Sequence, residues 1–450
     1  MRTPIYDFAK KYAESDATRA HMPGHKGVSR LGVEHLDLTE ISGADSLYEA
    51  DGIIRESEAN ASALFGAHTV YSTEGSSLSI RAICAMLARF SSSVGREPVV
   101  LACRNAHKSF IYGAALAGLA VEWIYGGSYL SFEIDTEELA ELLTKHRPIA
   151  VYMTSPDYLG HVADIERIAE ICHAHAALLV VDNAHGAYLK FLPNPCHPMD
   201  CGADICCDSA HKTISVLTGG AYLHISKKAD ELFAREAKNA LAMFGSTSPS
   251  YLILQSLDNA NVLIETYPAR LSSYIPAIEA LRNSLIAHGY VLQGQEILKI
   301  TICPKLYGYT GIELAAVLEE NNVVGEFADQ DHVVLMLTPM LGNHVLLELE
   351  RVLLSIPRRA PITAQPPRVL RLEQVLSPRE ASFLPRETVP VSESEGRILA
   401  AATVGCPPAV PIVVCGERID RAAIERFSYY GIDTCIVVAE QKPDISKGGG

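Results

Sequence analysis

The chain has 450 residues, 48% hydrophobic and 20% charged, which is enough for more than one packed core and sets an expectation of two or three domains. Lysine and arginine total 38 against 53 aspartates and glutamates, a net charge of −15 with no dense basic run, so nucleic acid is not expected as the main partner. Eleven cysteines, an odd number without paired metal-ligand spacing, fit a reduced, cytoplasmic protein better than a disulfide scaffold, and no metal site is expected.

The first fifteen residues carry Arg2, Asp7, Lys10, Lys11 and Glu14, so they hold no apolar signal-peptide core. Leu78 to Arg89 reads as a helix. From about Pro98, short apolar runs alternate with amphipathic stretches, the pattern of a mainly parallel sheet covered by helices on both faces. Val99 to Cys103, Val121 to Tyr125, Ile149 to Thr154, Ala177 to Val181, Asp204 to Cys207 and Ala221 to Ile225 read as strands of a six- or seven-stranded sheet. Ser109 to Leu119, Thr136 to His146 and Asp164 to His175 read as the helices between them, the last opening on an acidic N-cap. The most apolar stretch, Ile111 to Tyr125, is cut by Glu122 and is shorter than the ~20 residues of a membrane span, so no membrane association is expected.

A long helix is predicted from Tyr251 through Tyr267, interrupted by Pro268. Strands at Leu298 to Cys303 and Val333 to Leu337, with a helix at Gly311 to Asn321, predict a smaller α+β region. Pro357 to Pro367 reads as a linker. The expected organisation is a large domain over 1–255, a small α+β domain over 256–360, a C-terminal domain over 361–440 and a disordered tail over 441–450.

Four stretches carry chemistry. Asp208-Ser209-Ala210-His211-Lys212-Thr213 follows a strand, the place where open α/β sheets bind ligands, and flanks a lysine with hydroxyl and imidazole donors suited to a phosphate. A lone lysine there is more often simply solvated. Asp182, in Val181-Asp182-Asn183-Ala184-His185-Gly186, ends a buried apolar strand, a costly place for a carboxylate unless it meets a cation such as a protonated pyridine nitrogen. The alternative is an aspartate capping the next helix. Gly75-Ser76-Ser77 opening a helix offers N–H groups, hydroxyls and the positive end of the helix dipole to an anion, although serine is also an ordinary N-cap. His107, after the strand Val99 to Cys103, is placed to stack on a ring, but a lone histidine is more often structural.

In this order the stretches resemble the Orn/Lys/Arg decarboxylase family, and specifically its shorter members without an N-terminal wing domain. The likeness includes His21 to Gly27, Asp37 to Ile41, Phe65-Gly66-Ala67, Gly75 to Ser77, Arg104 to Ser109, Asp182 to Gly186 and Asp208 to Thr213. It continues through Ser246 to Tyr251, Gly308 to Gly311, and Pro407-Pro408 through Pro411 to Arg418. The resemblance implies an aspartate-aminotransferase-like fold (fold type I) that binds pyridoxal 5'-phosphate (PLP), with Lys212 as the Schiff-base lysine, Asp182 as the partner of the ring nitrogen and His107 stacked on the ring. It implies Gly75, Ser76, Ser77, Ser209 and His211 around the phosphate, Ala184 on the other ring face and His185 near the phenolic oxygen. It further implies an active site at a homodimer interface, with Ser246 and Ser248 reaching the neighbouring subunit's phosphate and Glu417 meeting the distal cation of a basic amino acid. The implied reaction is decarboxylation of arginine, lysine or ornithine to the amine and CO2, in polyamine biosynthesis. Another reaction of the same fold, by an aminotransferase or a lyase, and a non-catalytic PLP-binding regulator are the competing readings. Glu74, where an amide is expected, and Tyr188, where histidine is frequent, depart from the pattern.

Overall fold

The computed structural model describes residues 1–125, 134–368, 371–403 and 411–440. The expectations for the tail from Lys442 and for Pro407-Pro408 lie outside the described residues.

Helices α1 (Pro4–Ala13) and α2 (Ile53–Phe65) lead into β1 (His68–Ser72) and α3 (Gly75–Val94). The alternating segment then runs β2 (Val99–Cys103), α4 (Lys108–Ala117), β3 (Ala120–Ile124), α5 (Thr136–His146), β4 (Ala150–Thr154), α6 (Ile165–Ala174) and β5 (Leu178–Asp182). It ends with β6 (Ile205–Asp208), the short α7 (Ala210–Thr213), β7 (Ala221–Ile225) and α8 (Glu231–Ala242). The seven strands form one sheet in the order β1-β7-β6-β5-β4-β2-β3. β2 through β6 pair in parallel, and β7 runs antiparallel to both β1 and β6.

The apolar strands are buried on both faces, and their period of two divides the core. Val100, Ala102, Tyr152 and Val180 pack into one cluster with α3 and α4, whereas Leu101, Cys103, Val151, Leu179 and Val181 pack into another with α5 and α6. Aspartates start the helices of the second face. Asp135 accepts from the N–H groups of Glu137 and Glu138, and Asp164 accepts from Arg167, the acidic N-cap read from the sequence.

The helix from Tyr251 does not stop at Pro268. α9 (Tyr251–His288) continues through Pro268 and Pro276. A proline inside a helix costs about 3 kcal/mol through its lost N–H and its clash with the preceding turn. Beyond Pro268, Leu271, Ile278, Leu281 and Leu285 are all buried, each contributing about 1.5–3 kcal/mol, so tertiary packing outweighs the local penalty.

α9 carries the chain to a second sheet made from β8 (Val291–Gln293), β9 (Lys299–Cys303), β10 (Phe327–Ala328) and β11 (Val333–Met336), flanked by α10 (Gly311–Glu320) and α11 (Asn343–Ser355). Its order is β10-β11-β9-β8, antiparallel throughout. The last segment holds α12 (Pro378–Phe383), β12 (Arg386–Pro390), α13 (Arg421–Tyr429) and β13 (Thr434–Val438), with β12 and β13 paired antiparallel around a small apolar cluster. Among the described residues no helix is long and apolar enough to cross a membrane.

Candidate active site

The carboxyl ends of β4, β5 and β6 and the N-termini of α3 and α4 enclose a pocket of about 420 Å³. Gly75, Ser76, Ser77, His107, Asp182, Ala184, His185, Ser209, His211 and Lys212, named from four separate stretches of sequence, all line it.

One end is built for an anion. Gly75 starts α3 with φ +71°, a left-handed conformation that suits glycine, and Glu74 supplies no side-chain cap. The first N–H groups of α3 have no acceptor within the helix. Ser76 and Ser77 do not cap α3 either. Ser209 Oγ donates to Ser76 Oγ at 2.9 Å, and Ser109 Oγ donates to Ser77 Oγ at 2.8 Å, so four hydroxyls gather beside the positive end of a twenty-residue helix. Gly219, at φ +99°, accepts from Gly75 N–H through its carbonyl; a Cβ there would meet Thr73 O at 2.8 Å.

Asp182 closes β5 at another wall of the pocket and is 2% exposed. It accepts from Tyr152 Oη at 3.1 Å and from Ala184 N–H at 3.2 Å, and no ion pair with a protein cation is present for it among the described residues. A buried carboxylate facing a pocket without a counterion is suited to a cationic ligand group. The loop after it is held from the far side of the sheet. Asn183 Nδ2 donates to Asp208 Oδ1 at 2.6 Å, while the other oxygen of Asp208 accepts from His197 and His224, each at 3.0 Å. Burial pushes the Asp208 carboxyl up, but the two imidazoles more than offset that and hold it below its ordinary range.

Lys212 lies on α7, one turn after β6, with Nζ 3.1 Å from His185 Nε2. Burial lowers its pKa; Asp182 opposes this, and Lys299 adds to it. The environment therefore favours the neutral amine that a nucleophilic lysine requires. His107 N-caps α4 through Ser109 N–H, and its pKa is lowered by burial, with Asp182 acting the other way. His211 is fixed by Nδ1 on Gly220 O at 3.0 Å, leaving Nε2 for the pocket.

Three of the expected residues do not line this pocket, as a role at the neighbouring subunit's phosphate requires of Ser246 and Ser248. Ser246 and Ser248 are exposed outside this pocket; Ser246 N–H donates to Glu74 Oε1 at 2.7 Å. Glu417 is fully buried and does not line the pocket. Its carboxylate pairs with Arg104 Nη2 at 2.6 Å and accepts from Val414 N–H, so within one subunit its charge is directed at Arg104. Tyr188 is buried in the core, away from the pocket lining.

The pocket also has walls to which the sequence reading gave no role: Asn105, Thr154, Tyr158, Thr403 and Pro411. Tyr158 Oη donates to Glu326 Oε1 at 3.0 Å, bringing a carboxylate of the small sheet toward the pocket. Behind His185 lies Lys299, 1% exposed. A lysine opening an apolar strand, Lys299-Ile300-Thr301-Ile302-Cys303, carries the same signal as Asp182 closing one, and could have been found by it.

The donor set suits pyridoxal 5'-phosphate. A hydroxyl-rich helix N-terminus would hold its phosphate, the uncompensated Asp182 its ring nitrogen, and Lys212 its aldehyde carbon.

Residues 3–301 match the Orn/Lys/Arg decarboxylase major domain, and residues 371–432 match the C-terminal domain of the same family. The chain is 29% identical to an arginine decarboxylase of Bacillus subtilis (strain 168) over 465 residues, 95% of this chain and 92% of that protein. Among solved structures, a lysine decarboxylase of Francisella novicida superposes with a TM-score of 0.77 at 18% identity, covering 96% of this chain and 79% of that one. An alanine–glyoxylate aminotransferase of Nostoc sp. superposes with a TM-score of 0.53 at 19% identity, covering 67% of this chain and 85% of that one, which places the fold in the aspartate-aminotransferase-like class.

Proposed function

Because the chain belongs to the Orn/Lys/Arg decarboxylase family, we propose that it removes the α-carboxylate of a basic amino acid, arginine before lysine or ornithine, with pyridoxal 5'-phosphate held by the pocket residues. The observation that carries this reading is the meeting of a neutral-leaning Lys212, a buried Asp182 without a protein counterion and the Gly75–Ser77 anion cradle in one pocket.

When bound, the cofactor supplies an electrophilic carbon and a ring that accepts the electrons of the breaking bond. The chain does the rest. Ser76, Ser77, Ser209 and the first N–H groups of α3 anchor the phosphate, and Asp182 keeps the ring nitrogen protonated. His107 and Ala184 line the pocket where a flat ring would be held between them. Lys212 would hold the aldehyde carbon until the incoming amine replaces it, and its Nζ, or another acid in the pocket, would hold the proton for the substrate's α-carbon. Among the described residues no arginine lines the pocket, which fits a site that avoids holding the substrate's α-carboxylate in its ground state.

Arginine is favoured by the arginine decarboxylase name of the B. subtilis relative. Glu326, exposed and steadied by Tyr158, supports a basic substrate, since it offers a carboxylate to a distal cation. Assembly as a homodimer, with Ser246 and Ser248 of each subunit serving the other, and work in the cytoplasm in polyamine synthesis belong to the same reading.

The test is incubation of the purified, cofactor-loaded protein with arginine, lysine and ornithine, measuring amine and CO2. Arginine turnover that disappears in Lys212→Ala, together with the visible absorbance of the lysine-bound cofactor, is the expected result. Transfer of the amino group to a keto acid, or retention of wild-type turnover in Lys212→Ala, would overturn the reading.

A further inference from the structure

His185 is 4% exposed and has a lysine in reach of each ring nitrogen. Nε2 faces Lys212 Nζ at 3.1 Å inside the pocket, and Nδ1 faces Lys299 Nζ at 3.5 Å behind it. Lys299 comes from the other sheet, at the start of β9, and is itself 1% exposed. Its ammonium also donates to Asp157 O at 3.0 Å and meets Glu296 Oε2 at 2.7 Å. Three acceptors thus surround a group with three N–H bonds and no lone pair when charged.

The geometry points to Lys299 as a positioning residue that fixes the tautomer of His185: by donating to Nδ1 it leaves the single imidazole proton on Nε2, aimed at Lys212 and the pocket. An ammonium cannot accept, so a charged Lys299 is compatible only with a bare Nδ1. The same charge opposes a second proton on the ring. Burial drives the His185 pKa well below its ordinary value, and Lys299 and then Lys212 drive it further down. Glu296, fully buried beside Lys299, is the counterion that makes a buried ammonium tolerable there.

The other groups facing this ring are known. Lys212 and His211 approach from α7, His107 from before α4, Asp157 and Tyr158 from the loop after β4, and Lys299 and Glu296 from the segment entering β9. Tyr158 packs edge-on with ring centroids 5.2 Å apart and holds the imidazole plane. Of these groups, Lys299 alone has a hydrogen-bond contact with Nδ1. The result is a neutral donor beside Lys212 that can neither take the lysine's proton nor reverse the direction of the hydrogen bond between them. This inference rests on Lys212 being the reactive amine, as proposed above.

The test is 15N spectroscopy of the full-length, histidine-labelled protein, with and without cofactor, together with the pH profile of turnover. In the wild type the His185 signals should remain those of a neutral, Nε2-protonated ring from about pH 8 to about pH 5, across the range where an ordinary histidine titrates. The variant is Lys299→Met combined with Glu296→Leu, which removes both buried charges and leaves neither unpaired. It should show mixed tautomers, and the acid limb of its kcat profile should move up, because the cation removed stands at the ring while the anion removed with it stands behind that cation. kcat should fall about tenfold with KM held within about threefold, the pattern of an effect on the chemical step.

A wild-type ring protonated at Nδ1, or charged near its ordinary pKa, overturns the inference without any variant. So does a folded double variant whose His185 signals match the wild type, because Lys299 would then be only a tether between the sheets. A wild-type protein with the fixed tautomer that decarboxylates none of the three amino acids would support this inference while sinking the proposed function.

Discussion

Replacing Asp182 with asparagine removes one charge from a buried carboxylate and little else. The amide oxygen still accepts from Ala184 N–H, and the Tyr152 hydroxyl rotates to accept from the new amide N–H, so each group keeps a partner. The cofactor-free protein should therefore lose less than about 1 kcal/mol of stability, and its melting temperature should barely move. The cost falls on the ligand. A unit charge in contact with a protonated ring nitrogen is worth about 4 kcal/mol at an effective dielectric of about 20. At about 1.4 kcal/mol per factor of ten, that corresponds to a kcat roughly a thousandfold lower. Retention should suffer far less, because the hydroxyls of Ser76, Ser77 and Ser209 and the α3 N-terminus hold the phosphate independently. Three measurements decide the matter: kcat on the preferred amino acid, the cofactor dissociation constant from a spectral titration, and a melt of the cofactor-free protein. A kcat within tenfold of wild type, or equal losses in kcat and retention, would refute the assignment of Asp182 to the ring nitrogen.

Four further outcomes follow from other parts of the molecule. Arg104→Met alone should cost about 3–5 kcal/mol in denaturant unfolding by leaving Glu417 buried and unpaired, and adding Glu417→Met should restore most of it; a double variant with a strongly raised KM would instead return Glu417 to substrate binding. Asp208→Ala deprives His197, His224 and Asn183 of their acceptor, so it should destabilise by about 3–5 kcal/mol and lower activity through the Asp182 loop. Lys212 has a folded pKa below that of the unfolded chain, so the native state binds fewer protons and its stability falls as pH drops from the ordinary lysine range through the folded pKa. Cofactor-free Lys212→Met should accordingly melt above wild type near neutral pH, with the gap closing in alkali. Glu326→Gln should raise KM for the basic substrate about tenfold with kcat nearly unchanged, as expected for a charge-assisted contact made equally before and during the reaction.

The groups that were legible in the sequence share one property: each is polar at the end of an apolar run, and so each advertises a ligand. Asp182 after Leu178 to Val181, Lys212 after β6 and Gly75 to Ser77 opening α3 could be found because the mismatch is local. The sheet was legible for the same reason, since strands buried on both faces have no polar alternation to hide them. What escaped was set by distant partners. Pro268 reads as a helix stop until the buried residues beyond it are counted, and nothing near Glu417 in the sequence announces Arg104, 313 residues earlier, with which it pairs. Lys299 lies between these cases. Its charge at the head of β9 is a local mismatch like that of Asp182, yet its meaning depends on His185, 114 residues away in the turn after β5. Local mismatch thus locates a group that must meet something, and only the fold decides whether that partner is a ligand, as the pocket implies for Asp182, or another side chain, as for Glu417. Lys299 and His185 show a third case, in which one buried side chain meets another so that the second can face the ligand.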